Sequence, residues 1–219
     1  MNRSTALFSL IVLVLSFYFW DSIWLFPIRV FVVLLHELGH ALAAVLTGGE
    51  IERIELVAEE GGAAWTRGGN RFLILNAGYL GSLLLGCLLL WMARTPRLAQ
   101  GALALMTLTV GVTTLLYLRP LVSFAFAYGM VASVALLVAT LRAPILVQQG
   151  LLHGLGLFSC LYALFDIRDD VLNFNRVGGT SDAVMLAELT GVPSMLWGLA
   201  WLGLSLVMLW RMRRIILGA

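Results

Sequence analysis

His36, Glu37 and His40 stand together in VVLLHELGHALAAVL, residues 32–46, a run that is otherwise almost entirely apolar. A charged side chain at mid-bilayer costs about 2.5–3.5 kcal/mol even on lenient insertion scales, so a chain that keeps three ionisable groups in such a run has a use for them. On a helix, residues i and i+4 lie on one face, which brings both imidazoles within reach of a single metal ion. Neutral imidazole nitrogens bind Zn²⁺ at about 2.0–2.1 Å, and the bound ion lowers the pKa of its water to about 7, so that hydroxide is available at neutral pH. Glu37, one residue after the first histidine, is placed to take that water's proton and hand it to a leaving amine. The spacing therefore points to metal-assisted hydrolysis, with Zn²⁺ as cofactor, His36 and His40 as ligands and Glu37 as general base. The bland alternative is a chance pentapeptide whose polar groups are satisfied by neighbouring helices. Two of the chain's three histidines fall inside the motif, which weighs against chance.

The elements that hold this motif are expected to be membrane helices. Of 219 residues, 61% are hydrophobic and 12% charged, with a mean hydropathy of +0.96, far from the range of a soluble domain. The composition predicts an integral, multi-pass protein in a lipid bilayer, one membrane-embedded domain over residues 1–219 with room for several spans of about 20 residues. A net charge of +2 argues for no nucleic-acid partner. Cys87 and Cys160 each sit in an apolar run and are expected to be buried thiols rather than a disulfide.

Apolar runs place about seven spans, near residues 6–20, 27–49, 72–92, 101–118, 121–141, 145–165 and 183–208. The first resembles a signal peptide in length, but Phe17, Tyr18, Phe19, Trp20 and Asp21 offer no small-residue cleavage site, so it is read as retained and extendable to Phe26. Pro27 suits a first helical turn and Gly48–Gly49 a stop, while Gly191 and Pro193 interrupt the last span. Two segments do not fit a membrane helix. Residues 50–69 alternate in part, with Ile54, Leu56 and Ala58 on one face and a Gly61–Gly62 turn, which predicts a β-hairpin. Residues 166–182 form a polar loop. The expected fold is thus an all-α polytopic membrane protein with a small β-hairpin after the second helix.

With these residues in view, the chain resembles the site-2 proteases, intramembrane zinc metallopeptidases with this motif in a transmembrane helix. HELGHALAAVLTGG is similar to their motif helix, and NAGYLGSLLLG, residues 76–86, to the opening of their next core helix, with Tyr79 where the family usually has proline. A catalytic zinc takes three protein ligands and leaves a position open for water. The resemblance implies an aspartate as the third, from an Asn-x-x-Pro…Leu-Asp-Gly motif. Asn173 or Asn175 followed by SDAVMLAEL puts Asp182 in that place, although the proline and the following glycine are missing. Asp166 competes, with Asp169 and Asp170 behind it, and Asp182 could instead serve only as a helix N-cap.

With seven spans, the hairpin and the 166–182 loop emerge on one side, the side towards which His40 lies. Arginines are spread over both sides, so the positive-inside rule does not set the orientation, and nothing in the sequence sets the oligomeric state. His153, near Gln148 and Gln149, is expected to make a polar contact between helices, and Ala77 with Gly81 to serve helix packing. Together these readings give a zinc-dependent intramembrane or membrane-proximal endopeptidase. The resemblance supplies the substrates, other membrane proteins. The alternative is a non-proteolytic metal-binding membrane protein: a pseudoprotease, a partner-holding factor or a transporter. The intact Glu37 argues against a pseudoenzyme, the degenerate third-ligand motif for one.

Overall fold

A computed structural model describes residues 3–20, 22–58, 61–172 and 181–217, with the side chains at positions 3, 5, 17, 166 and 168–172 outside the description. The order of elements is α1 (Arg3–Phe19), α2 (Phe26–Leu46), β1 (Glu50–Leu56), β2 (Gly62–Arg67), α3 (Arg71–Met92), α4 (Pro96–Leu116), α5 (Phe124–Arg142), α6 (Ile145–Leu172), α7 (Asp182–Thr190) and α8 (Ser194–Ile216). Six of these helices, α2, α3, α4, α5, α6 and α8, are long and apolar enough to cross a membrane; α1 adds a shorter apolar helix. The chain is an integral, multi-pass membrane protein.

Local chemistry sets the helix ends. Pro27 and Pro96 occupy first turns, where a missing N–H costs nothing. Asn70 and Ser123 cap α3 and α5, their side-chain oxygens accepting from Leu73 N at 3.2 Å and Phe126 N at 3.1 Å. Gly191, at φ 74°, ends α7 in the left-handed conformation that glycine adopts without strain.

α2 is the central helix. Val30, Val32, Leu34 and Ala44 are at most 1% exposed, whereas α5 and α8 present rows of exposed leucine, valine and methionine that suit lipid. α3 and α6 flank α2, and α6 also meets α1 and α8. Gly39 of α2 has no room for a side chain, since a Cβ there would stand 2.3 Å from the Ala77 carbonyl oxygen of α3. Gly81 lies against Gly39 in the same seam, so the predicted packing role of Ala77 and Gly81 is what the two helices use.

The predicted hairpin is present, antiparallel, with Ile54 opposite Ala64 and Leu56 opposite Gly62. It folds back along α2 and reaches Glu37, nine residues before the helix ends at Leu46. At 1.5 Å per residue this is about 14 Å from the end of the helix. β1 is paired on both sides at Ile54, which accepts from Arg119 N at 3.3 Å and donates to the Tyr117 carbonyl at 2.8 Å.

Three expected boundaries move. The first span stops at Phe19, and turns at Ser22–Leu25 separate it from α2 instead of continuing it to Phe26. The last span is α8, ending at Ile216; residues 183–190 belong to the separate α7, cut off by Gly191 and Pro193. α6 continues to Leu172, so residues 166–172 are helix and not loop. Hydropathy marks where an apolar run ends, but a helix runs on through polar residues until something breaks it, and α6 has neither proline nor glycine after Gly156.

Candidate metal centre

His36 and His40 project from adjacent turns of α2, and α7 brings Asp182 to meet them. Asp182 Oδ2 lies 3.2 Å from His36 Nε2 and 3.2 Å from His40 Nε2. One ligand atom from each of the three residues lies within 4.8 Å of the others, and each residue is 7% exposed. Two imidazole nitrogens converging on one carboxylate oxygen in a buried site need a positive charge between them, either protons or a cation. His40 Nδ1 lies 2.7 Å from the Ile74 carbonyl oxygen and must donate to it, which leaves Nε2 of the neutral ring as a lone pair aimed at the cluster. The donor set, two imidazoles and one carboxylate, therefore fits a metal ion. Without an ion, burial alone would raise the Asp182 carboxyl, but protonated His40 and His36 imidazoles outweigh it and hold it below the ordinary carboxylate range.

Glu37, 4% exposed, faces the hairpin from the same turn of α2. Gly78 of α3 forms the floor beneath the imidazoles: a Cβ there would meet His36 Nε2 at 2.3 Å and His40 Cε1 at 2.6 Å. Nothing in the helical spacing of α2 marks Gly78. The signal was the segment NAGYLGSLLLG, read as the opening of a core helix by resemblance and, at Ala77 and Gly81, as helix packing, with no site role given to Gly78. Tyr79 sets its ring edge-on to His36 at 4.8 Å and also contacts Trp201 at 4.8 Å, whose indole N–H donates to Asn76 Oδ1 at 2.9 Å. This aromatic wall holds the first imidazole from the side of α8.

The N-cap role is not taken by Asp182. Ser181 caps α7, accepting from Val184 N at 3.4 Å, and Asp182 is the first residue of the helix, free to point at the histidines. The competing Asp166, with Asp169 and Asp170, has its side chain outside the described residues, as do Asn173 and Asn175 entirely. His153 lies elsewhere: its Nε2 donates to Ser9 Oγ at 2.8 Å, and Ser9 donates to the Ile216 carbonyl at 2.6 Å, tying α6 to α1 and α8. Gln148 and Gln149 bind carbonyls at the ends of neighbouring helices, Gln148 reaching Ala143 at 3.0 Å and Gln149 reaching Ala93 at 2.8 Å. Cys87 and Cys160 are free thiols with their sulfurs 4.0 Å apart.

No curated protein and no solved structure matches this chain. The family model described as Peptidase M50B-like matches residues 8–212, nearly the whole length and both parts of the His36, His40 and Asp182 cluster. With a buried donor set that fits a metal ion inside a bundle of membrane helices, and in keeping with the resemblance to the site-2 proteases, the chain belongs to the Peptidase M50B-like family.

Proposed function

We propose that this chain is a zinc-dependent endopeptidase that hydrolyses peptide bonds of other membrane proteins, within the bilayer or at its edge. The observation that carries the reading is the convergence of His36, His40 and Asp182 on one point, with Glu37 on the same turn of α2. Two imidazoles and a carboxylate suit zinc, and three protein ligands leave a fourth position for water. When bound, zinc would lower the pKa of that water and polarise the scissile carbonyl.

The chain's own residues supply the rest. His36, His40 and Asp182 would hold the ion, the Ile74 carbonyl fixes the His40 tautomer, and Gly78 with Tyr79 sets the imidazoles in place. Glu37 takes the proton of the attacking water and returns it to the leaving amine. Substrates are membrane proteins because the site is enclosed by membrane-spanning helices.

The test is metal analysis and cleavage by protein purified in detergent. About one zinc per chain is expected, lost when His36 and His40 are both alanine. Glu37→Gln is expected to keep the metal and lower cleavage by about 10²–10⁴-fold, since the amide cannot accept the proton. Folded but metal-free wild-type protein, or full activity in Glu37→Gln, overturns the reading.

A further inference from the structure

We infer that the main chain of β2 positions the general base: the Ala64 N–H holds the Glu37 carboxylate, and Gly62 provides the clearance that lets the strand come close enough. The inference rests on the role proposed for Glu37 and gives the hairpin a part in the reaction beyond covering the site.

The register forces the geometry. Ile54 and Ala64 face each other across the ladder, and Ile54 directs its N–H and C=O away from β2, to Tyr117 and Arg119. In an antiparallel pair both partners then point their main-chain groups outward, so the Ala64 N–H must leave the hairpin on the opposite edge. The hairpin packs against α2 with its Gly62 main chain on the Glu37 side chain, so the Ala64 N–H, two residues along the same edge and without a ladder partner, is available to donate to the Glu37 carboxylate. Leu56 and Gly62 are the next pair of the same kind, two residues on, as the Val57 N to Gly61 O bond of 2.9 Å at the turn confirms. At Gly62 the approach is tighter still. A Cβ there would stand 2.5 Å from Glu37 Oε1, 2.8 Å from its Cγ and 2.9 Å from its Cδ, so any side chain at this position displaces Glu37.

A glutamate has three rotatable bonds and would otherwise sample several rotamers, whereas a general base must hold its oxygen within hydrogen-bond reach of the water. The Gly62 main chain walls the side chain in, and the Ala64 N–H fixes one oxygen, leaving the other for the water. Ala64 and Gly62 are positioning residues: they touch the base and not the reacting atoms.

Ala64→Pro removes the donor without removing a ladder bond, because this N–H faces away from β1, and proline is accepted on strand edges of that kind. Ala64→Ser keeps the donor and serves as the conservative control. The expected result for Ala64→Pro is a kcat lowered by about 10–100-fold with unchanged KM and unchanged metal content, and near wild-type turnover for Ala64→Ser. Gly62→Ala, which displaces Glu37 by its methyl group, is expected to show the same split and decides the matter if Ala64→Pro does not fold. A raised KM with unchanged kcat would mean that the strand holds substrate rather than the base, and unchanged kinetics, or loss of metal, would equally overturn the inference. A second readout needs no turnover: in Glu37→Ala the Ala64 amide should exchange with deuterium faster than in wild type, while the amide of Ala63, which faces β1, should not change. Equal exchange at Ala64 refutes the contact. If wild-type protein proves metal-free and Glu37→Gln behaves like it, the proposed function fails on its own, and the exchange result still decides the contact.

Discussion

Gly78→Ala is the smallest change that should empty the metal centre while sparing every ligand. The new Cβ would lie 2.3 Å from His36 Nε2, 2.6 Å from His36 Cε1 and 2.6 Å from His40 Cε1, whereas ordinary van der Waals contact begins near 3.4 Å. The imidazoles must therefore retreat by about 1 Å, but metal–ligand distances tolerate only about ±0.2 Å. For His40 that retreat also stretches its 2.7 Å bond to the Ile74 carbonyl, on the same helix as Gly78, so the shift costs the bond that sets its tautomer. Displaced partners of a metal site typically cost about 10–100-fold in affinity, and here two ligands move at once, so the loss should be at the top of that range or above it.

The fold should survive. Overpacking costs about 1–3 kcal/mol, and the better helix propensity of alanine returns up to about 1 kcal/mol. Gly111 and Gly203 are the controls: a Cβ at either meets nothing within 4 Å, so alanine there should be neutral or slightly stabilising. Zinc titration and thermal unfolding of the three variants in detergent decide the matter. A Gly78→Ala protein that binds zinc as tightly as wild type would refute the geometry of the centre, since the ion could not then lie between these imidazoles.

Asp182→Asn should weaken metal binding by more than the 10–100-fold typical of an outer partner, about what loss of an anionic oxygen donor implies, while Asp166→Asn should keep the metal; the reverse result in a metal assay would move the third ligand to α6. Ser181→Ala removes the cap of α7 and should cost about 1 kcal/mol of stability, with weaker metal binding because Asp182 follows directly; a denaturation curve and a zinc titration report both. Ser9→Ala strips the partner from His153 Nε2 and from the Ile216 carbonyl, so unfolding should become easier by about 1–3 kcal/mol while zinc content stays at the wild-type level.

His36, Glu37 and His40 were legible because a helix repeats every 3.6 residues, and i, i+4 spacing fixes a shared face without knowledge of anything else. The hairpin was legible through its alternation and its glycine turn. In the sequence Asp182 is favoured as third ligand only through the resemblance, with Asp166 and a bare N-cap role as competitors, because no local rule determines the path between α6 and α7; the carboxylate's approach to both Nε2 atoms is a tertiary fact. Gly78 and Gly62 were not legible as site residues for the same reason. A glycine that makes room for a side chain on another element carries no mark of it, and the same letter serves helix packing at Gly81 and a turn at Gly191. The unbroken course of α6 past Phe165 was hidden by its change from apolar to polar residues, which alters the environment of a helix without ending it.

The hairpin poses a requirement that bears on the chemistry. Main-chain groups cannot face lipid unpaired, so a strand that reaches about 14 Å along a membrane helix must satisfy both of its edges. β1 does so through β2 on one side and residues 117–119 on the other. β2 has its inner edge on β1 and its Gly62 main chain against Glu37, but residues of this strand remain partly exposed. An edge of this kind is tolerated at such depth only where it lines protein or a water-containing cavity. The arrangement that places a strand beside the general base thus also demands that water reach the base, and hydrolysis in a bundle of apolar helices needs that same supply. Substitutions that make the outer edge of β2 more apolar should therefore lower turnover by starving the site of water, even where they leave His36, His40 and Asp182 untouched.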